Sequence, residues 1–317
     1  MYQTVSPVLL IVFNRPESVR SIFRILKSVR PARLYIAADA PRPNRPSDVY
    51  NCRRTLEVFA TINWPCECRF RINETNLGSH TSIPQAIDWF FEAEERGIVL
   101  EDDCVPSEDF FRFCDDLLAR YQDHPRVMWI NGSNLQFSDQ HAESSFFFSV
   151  YPISWGWASW RRAWHTFDRE AREVLALERM CDVIDASVGH SLMARLYWRA
   201  AIEYAYSIKN WDWRWMYTLW ANNGLACTPA SNLISNVGFG VEAVHGGHRH
   251  DPRGHLPTLG LSSAIRAPDR LESFRPLDVH MDGNLYCMRF FSILKMYLVS
   301  RFPSVRNLAR KILGRRI

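Results

Sequence analysis

The chain has 317 residues, of which 47% are hydrophobic and 23% charged, and its net charge is +4. This composition is that of one large or two modest globular domains, it excludes a disordered chain, and no apolar run is long enough to cross a bilayer. Because the first seven residues lack the features of a secretory signal and the eight scattered cysteines include no CxxC pair, we expect a cytoplasmic protein with free thiols.

The first hundred residues alternate between predicted strands and helices. Residues 7–13 form a continuous apolar run, which is typical of a strand buried on both faces, and residues 17–29 have the apolar spacing of a helix. A second strand, at 33–38, ends before Asp39. Further strands are predicted at 66–72 and 98–100, and further helices at 48–60 and 83–94. This order predicts an α/β protein with a doubly wound, mostly parallel sheet and helices on both of its faces.

Three consecutive carboxylates, Glu101, Asp102 and Asp103, follow the predicted strand at 98–100. They repel one another, and a divalent cation such as Mn²⁺ or Mg²⁺, which prefers oxygen ligands, would supply a counter-charge. The carboxyl ends of strands in an open α/β sheet are also where ligands bind. A solvated acidic turn is the alternative for this triplet taken by itself.

Polar side chains also follow the first two strands. Asn14 and Arg15 follow the first strand and Asp39 follows the second, so right-handed connections would bring them to the edge of the sheet that carries the acids. Arg15 could hold a phosphate, and Asp39 could accept a hydrogen bond from a base or a ribose hydroxyl. Each residue alone is explained equally well as a cap, turn or surface residue. Their joint placement favours a nucleotide site.

Beyond the acids, the pattern predicts a helix over 110–121 and a short strand over 127–130. The chain then becomes rich in aromatic residues, in one cluster at 146–164 and another at 211–220. Residues 236–255 are rich in Gly and His and are predicted to form a loop. No linker separates two folding units.

The order of these features resembles a known enzyme family. Asn14-Arg15-Pro16 follows the first strand, an acid follows the second, Asn76-Leu77-Gly78 forms a turn, and the acid triplet precedes a Phe-rich helix at 109–113. Over residues 7–240 the chain thereby resembles glycosyltransferases of the GT-A fold, in particular the N-acetylglucosaminyltransferase I family and its bacterial relatives. The resemblance implies a Rossmann-like GT-A fold and metal-dependent, inverting transfer of a sugar from a nucleotide-diphosphate sugar to a glycan or lipid-linked acceptor.

The resemblance also implies roles for individual residues. Asp103 would bind the Mn²⁺ (or Mg²⁺) that bridges the diphosphate, Asp102 would neighbour the metal or the ribose, and Glu101 would lie behind them near the sugar. Asp39 would read the uracil of a UDP-sugar, and the turn at 76–78 would close over the nucleoside. The residues assigned to nucleotide binding are Asn14, Arg15, Asp39, Asn76, Gly78 and Asp102.

The second informative stretch is 210–215, Asn-Trp-Asp-Trp-Arg-Trp. Indole faces stack on the apolar faces of pyranose rings, while a carboxylate accepts hydrogen bonds from hydroxyls. The similar family has Trp-Asp-Asp-Trp here, which implies that Asp212 is the catalytic base that deprotonates the acceptor hydroxyl. Trp213 stands where the second acid would be. The alternative is that Asp212 caps a helix over 213–222.

Two more segments are assigned to the site. Residues 152–160 correspond to the loop that precedes the base in the similar family, and they are predicted to line the pocket for the donor sugar and the acceptor. The residues assigned to this pocket are Glu101, Trp155, Gly156, Trp157 and Trp211. Three imidazoles at 245, 248 and 250 could form a zinc site, but we favour a loop that folds over the diphosphate, with His245 as a metal or phosphate ligand. A solvated loop is the alternative for the other two imidazoles.

We assign residues 1–240 to the transferase domain and 241–317 to the His-rich loop and a basic, helical C-terminal extension. Residues 283–317 contain eight Lys or Arg and no Asp or Glu. Basic and apolar residues mixed at helical spacing suit an anionic membrane surface, so we expect a peripheral contact of 284–317 with the inner face of a membrane. A helix packed on the body is an equal alternative for 284–300. The charge is accompanied by no nucleic-acid-binding motif, and no such partner is expected.

Two other functions fit parts of the sequence. A sugar-nucleotide pyrophosphorylase also has a doubly wound sheet and a metal, but it usually carries a Gly-rich loop after the first strand, where this chain has Asn-Arg-Pro-Glu-Ser. A non-catalytic carbohydrate-binding protein would use the tryptophans without needing the acid triplet beside Arg15.

Overall fold

The structure is a computed structural model that describes residues 2–135, 144–168, 177–189, 191–239, 251, 253–261, 264–286, 288, 294 and 297. In this part of the chain, helices pack around an eight-stranded sheet, and a separate two-stranded sheet adjoins the acid triplet. The protein is therefore of the mixed α/β class.

The first hundred residues confirm the predicted alternation. Their elements are β1 (Val8–Val12), α1 (Pro16–Val29), β2 (Arg33–Ala38), α2 (Pro46–Glu57), β3 (Glu67–Ile72), α3 (Ser79–Ala93) and β4 (Arg96–Glu101), with a short 3-10 helix at Val58–Thr61 after α2. All five residues of β1 are buried, as the unbroken apolar run predicts. Helix α1 buries Val19, Ile22 and Leu26, which recur at the three- and four-residue spacing of one helical face.

The second half of the described chain contains more strands than the sequence predicted. Its elements are β5 (Cys104–Pro106), α4 (Glu108–Arg120), β6 (Val127–Asn131), β7 (Phe146–Ser149), β8 (Trp157–Trp160), α5 (Arg161–Trp164), α6 (Leu177–Val188), α7 (Leu192–Ser207), α8 (Trp211–Ala221), β9 (Leu225–Pro229), β10 (Ile234–Asn236) and α9 (Arg275–Asn284). The first aromatic cluster supplies β7 and β8, and the second supplies α8.

The strand order of the large sheet is β3-β2-β1-β4-β8-β6-β9-β7. The first four strands in this order are mutually parallel, whereas β8 is antiparallel to both β4 and β6. Strand β9 is parallel to β6, and β7 is antiparallel to β9. Within the described chain, β8 and β7 thus run against the other six strands, and the sheet is mostly parallel, as predicted. Winding of helices over both faces stays a prediction.

Tryptophans form much of the core on the β8 side of the sheet. The rings of Trp129 and Trp157 are stacked, with centroids 3.8 Å apart. Trp164 packs against Trp215 at 5.0 Å. Side chains of this size bury the largest apolar areas available to a protein, and paired rings add about 0.5–1.5 kcal/mol beyond that burial. The aromatic richness of the middle of the chain is therefore mainly a matter of packing.

The residues that directly follow α9 pack against the rest of the protein. Leu285, Tyr286 and Met288 are partly buried against the core. Farther on, the described side chains of Leu294 and Tyr297 are exposed by 43% and 51%. The first residues of the segment 284–300 thus follow the packed alternative, and the membrane contact stays a prediction.

None of the helices in the described ranges combines the length and the apolar character that crossing a bilayer requires. The proposed boundary at residue 240 falls in the segment 240–250, which lies outside the described residues.

Candidate active site at the carboxyl end of β4

The acid triplet lies where the strand order places a ligand site. Strand β1 pairs with β2 on one side and β4 on the other, so the chain connections diverge between β1 and β4. In open α/β sheets, ligands bind outside the carboxyl ends of the strands at this kind of switch point. Glu101 is the last residue of β4, and Asp102 and Asp103 form the turn into β5.

Arg15 joins the triplet from the neighbouring strand connection. It is the N-cap residue of α1, and its guanidinium contacts Asp102 and lies 3.2 Å from the Asp103 carboxylate. The backbone N–H of Phe13 donates to Asp102 at 2.9 Å, and the hydroxyl of Ser18 donates to the Asp102 carbonyl. The start of α1 is thereby fastened to the acids, as the placement of Arg15 in the sequence predicted.

The site carries more negative charge than the one guanidinium balances. Burial raises the pKa of Glu101 well above its ordinary value, and the charges of Asp103, Asp102 and Asp212 raise it further. Burial also raises the pKa of Asp102, although Arg15 opposes that shift. Burial disfavours the charge on Arg15 itself, but the carboxylates outweigh it and raise its pKa. A bound cation would relieve this repulsion.

Asp212 belongs to the same group of charges although it comes from α8. Its negative charge contributes to the raised pKa of Glu101, so the two carboxyl groups interact. The N-cap of α8 is Asn210, whose side chain accepts a hydrogen bond from the Trp213 N–H at 3.0 Å. Asp212 lies in the first helical turn and also accepts from that N–H at 3.0 Å. The N-cap position, which the alternative interpretation gave to Asp212, is therefore occupied by Asn210.

Asp39 lies at the end of β2 and holds the turn that follows β3. Its carboxylate accepts five hydrogen bonds from described residues, at 2.9 to 3.1 Å. The donors are the side chains of Asn73 and Asn76 and the backbone N–H groups of Ala40, Leu77 and Gly78. An ionised carboxylate has about four lone-pair positions, so these donors use its full capacity.

The structure thus brings Asp39, Asn76 and Gly78 together, as the assignment of all three to the nucleotide implied. The Asn76 side chain and the Gly78 N–H both donate to the Asp39 carboxylate. Gly78 has a φ of +74°, a backbone conformation that favours glycine. A uracil read by Asp39 would have to displace one of the present donors, so contact through the turn at 76–78 requires less rearrangement.

Asn14 is engaged with α2. Its side-chain amide donates to the Asp48 carboxylate at 2.8 Å, and the Arg42 guanidinium donates to the same carboxylate. The hydrogen bond from Arg42 lowers the pKa of Asp48. Asn14 therefore helps to fix the start of α2 near the site, and one of its two amide N–H donors is engaged within the protein.

The predicted sugar pocket divides into two parts. Trp155 is only partly buried, and its ring packs edge-on against Phe239 at 5.4 Å. Trp157 is 1% exposed and stacked on another indole, and Trp211 is also buried. A sugar ring cannot stack on a face that is covered, so Trp155 is the tryptophan of this set that can line a pocket here. Gly156 has a φ of +62°, and a Cβ there would lie 2.5 Å from Ile234.

A wall of the site comes from residues that the sequence analysis placed in a loop without a role. Asn236 ends β10 and pairs with Cys104 in β5. The Val237 N–H then donates to the Asp103 carbonyl at 2.8 Å. A Cβ at Gly238 would lie 2.3 Å from an Asp103 carboxylate oxygen, so only glycine fits there without a shift. The signal available in the sequence was the order Asn-Val-Gly at 236–238, because Asn and Gly favour a turn of the chain. His245 lies outside the described residues.

The donor set fits a metal that shares its coordination with a substrate. Among the described residues, no group of three or more His, Cys, Asp or Glu side chains is arranged to hold a metal ion. Mg²⁺ is commonly bound by only one or two carboxylates together with phosphate oxygens and water. Asp103, whose partly exposed carboxylate lies 3.2 Å from the Arg15 guanidinium, could supply such a ligand, whereas Asp102 is buried and bonded to both Arg15 and the Phe13 N–H.

Comparisons with known proteins identify no family. No protein-family model matches the sequence, and no curated protein does. The solved apo structure of mouse xyloside xylosyltransferase 1 is similar over 68% of this chain and 81% of that chain, with 12% sequence identity and a TM-score of 0.31. A similarity this weak supports no conclusion about activity, donor or acceptor. The resemblance to the N-acetylglucosaminyltransferase I family stays a prediction.

Proposed function

We propose that the protein is a metal-dependent, inverting glycosyltransferase of the GT-A type, which moves a sugar from a nucleotide-diphosphate sugar to a hydroxyl of a glycan or lipid-linked acceptor. The observation that supports this most is the group of four carboxyl groups and one guanidinium at the switch point of the sheet. A purely structural role would not require so many acids beside the buried Asp102, because like charges that share a partly buried site destabilise a protein.

The donor diphosphate would lie over the turn that carries Asp103. Bound there, Mn²⁺ or Mg²⁺ supplies positive charge that neutralises the departing nucleoside diphosphate. Arg15 holds Asp102 and Asp103 in place, and its side chain, 30% exposed, can present further N–H groups to a phosphate. A uridine would contact the turn at 76–78, which Asp39 fixes in position.

Asp212 is the proposed general base. It would accept the proton of the acceptor hydroxyl while the oxygen attacks the anomeric carbon from the side opposite the diphosphate, which inverts the configuration at that carbon. Burial and the neighbouring charges favour the neutral acid form of Glu101. A neutral carboxylic acid can donate a hydrogen bond, which suits Glu101 to a sugar hydroxyl.

A donor-hydrolysis screen tests the activity. Nucleotide sugars are incubated with the protein and Mn²⁺, with and without a chelator, and the released nucleoside diphosphate is measured. We expect one donor class to be hydrolysed slowly by water in place of the acceptor, and we expect the chelator and Asp103→Asn to abolish this release. Asp182→Asn, which changes an exposed carboxylate on α6, serves as the matched control.

The outcomes separate the alternatives. Release of nucleoside diphosphate by none of the donors, or equal release by the Asp103→Asn variant, would contradict the proposal. A pyrophosphorylase would instead form a nucleoside triphosphate and a sugar 1-phosphate when pyrophosphate is added to the donor.

A further inference from the structure

A cavity of about 370 Å³ lies at the outer edge of the large sheet, away from the acid triplet. Strand β7 ends the sheet on this side, and its residues Phe146–Phe148 form one wall. Residues between Pro268 and Leu277, which include the first turn of α9, form the opposite wall. The volume lies within the range of about 300–1,000 Å³ that is usual for small-molecule sites.

The path of the chain keeps this cavity open. The Ser145 N–H donates to the Arg266 carbonyl at 2.8 Å, and the Phe274 N–H donates to the Phe148 carbonyl at 2.8 Å. Between these two attachments the chain leaves β7. Pro268 has no backbone N–H and therefore cannot donate a hydrogen bond to the edge of β7. The two walls are thus tied together at both ends and separated in the middle.

The lining combines aromatic rings with charged groups. The rings of Phe147 and Phe274 lie 6.4 Å apart at 55°, and Phe274 is 39% exposed. Asp269, Arg270 and Glu272 line the same cavity, and none of the three forms an ion pair or a side-chain hydrogen bond with another described residue. All three residues are exposed.

This combination fits a carbohydrate. The C–H faces of sugar rings pack on aromatic rings, while the hydroxyls donate to carboxylates and accept from guanidinium groups. A purely apolar ligand would gain nothing from three charged groups, and an anionic one would be repelled by the two carboxylates.

The cavity extends to the side of the sheet at which the parallel strands have their carboxyl ends, which is also the side that carries the acid triplet. Phe146, at the start of β7, pairs with Pro229 at the carboxyl end of β9, and β9 runs in the same direction as β4. Strands β8, β6 and β9 separate β4 from β7, which corresponds to about 19 Å at the usual spacing between strands. A glycan of a few sugars could extend along this edge between the two places.

We propose that the cavity between β7 and residues 268–277 binds an oligosaccharide, as a subsite for the part of the acceptor remote from the reacting hydroxyl. The acceptor role rests on the proposed function. Oligosaccharide binding itself depends only on the cavity.

A glycan array, probed with the full-length protein, tests the proposal. We compare the wild type with Phe274→Leu, which removes the aromatic face but keeps an apolar side chain, and with the double variant Asp269→Asn, Glu272→Gln. Phe70→Leu is the control, because Phe70 is 48% exposed on β3, the strand at the opposite edge of the sheet. Thermal unfolding midpoints equal to that of the wild type establish that each variant is folded.

We expect the wild type and the control to bind an oligosaccharide on the array and both edge variants to bind it at least tenfold more weakly. The affinity for UDP with Mn²⁺ should be the same in all four proteins. Absence of oligosaccharide binding by the wild type, or equal binding by the edge variants, overturns the proposal. Edge-dependent oligosaccharide binding without any binding of UDP and Mn²⁺ would leave the cavity as a carbohydrate site and refute the glycosyltransferase.

Discussion

At the scale of single residues, the carboxylates of this protein have two kinds of surroundings. Asp39 accepts hydrogen bonds from many donors and fixes a turn, whereas Glu101 is partly buried and lies beside other acids. A carboxylate surrounded by donors stabilises the fold, and one surrounded by like charge is more often functional. The sequence could not separate these cases, because the donors to Asp39 lie 34 to 39 residues away in the chain, apart from Ala40.

Replacing Asp212 tests the base. We expect Asp212→Asn to lower kcat about 10²–10⁴-fold, because an amide cannot accept the proton of the acceptor hydroxyl. Affinity for UDP and Mn²⁺ should stay unchanged, since Asp212 is assigned to the acceptor side of the site. Steady-state kinetics and calorimetry measure the two quantities, with Asp182→Asn as the control. A kcat close to that of the wild type would remove Asp212 from the mechanism.

Replacing Asp39 tests the turn. Asp39→Ala leaves the backbone N–H groups of Leu77 and Gly78 without their protein acceptor, and we expect a loss of about 1–3 kcal/mol in the free energy of unfolding. UDP should also bind more weakly, because the turn at 76–78 is no longer held in place. Denaturant unfolding and calorimetry measure these effects. A variant with unchanged stability and unchanged UDP affinity would show that the Asp39 carboxylate is not needed to hold the turn at 76–78.

At the scale of elements, apolar patterning predicted what local sequence controls. The buried run of β1 and the one-sided apolar face of α1 appear as predicted. Strands β7 and β8 were missed because consecutive aromatic residues fit a strand, a helix or a binding surface equally well. The same ambiguity placed Trp157 in a sugar pocket, whereas the structure stacks it on Trp129. Only the tertiary arrangement decides whether an indole packs against a sugar or another indole.

The free energy of unfolding should depend on pH through Asp278 in helix α9. Its carboxylate is buried against β7, accepts from the Ser149 hydroxyl at 2.6 Å and lies near Asp282. Burial is the main cause that raises the pKa of Asp278 from 3.8 to about 7. Because the folded pKa is the higher one, the stabilisation is complete below the unfolded pKa and is lost as the pH rises through the folded value.

We therefore expect the free energy of unfolding to fall between about pH 4 and pH 7 by up to about 1.4 kcal/mol per pH unit relative to Asp278→Asn, and to level off above pH 7. The variant carries a neutral amide at every pH and provides the reference. Denaturant unfolding of both proteins at four pH values measures the difference. A difference that does not change with pH would show that Asp278 is ionised in the folded protein throughout.

At the scale of the whole molecule, the sheet and its switch point account for the position of the site. Strand order could not be read from the sequence alone, since β8 enters between β4 and β6 from a segment more than 50 residues after β4. The carboxyl ends of β1, β2 and β4 still meet at one edge, because these three strands are parallel neighbours. That is why Arg15 and the acid triplet could be placed together in advance, whereas the wall at 236–239 could not.

The charge distribution of the whole chain predicts membrane binding. Replacing the basic residues between 301 and 317 with Gln should weaken binding to vesicles that contain anionic lipid, at about 1 kcal/mol for each charge near the surface. Neutral vesicles should bind neither protein. Co-sedimentation at low salt measures the effect, and equal binding of both proteins to anionic vesicles would assign the basic residues to another role.

The proposed activity depends most on a cation shared between Asp103 and a nucleoside diphosphate. Calorimetric titration of UDP, with and without Mn²⁺, tests this most directly in the wild type, Asp103→Asn and the control Asp182→Asn. We predict that Mn²⁺ tightens UDP binding at least tenfold, or about 1.4 kcal/mol, in the wild type and the control, and leaves it unchanged in Asp103→Asn. UDP binding that is independent of Mn²⁺ in the wild type, or equally strengthened by Mn²⁺ in Asp103→Asn, would contradict the proposed site.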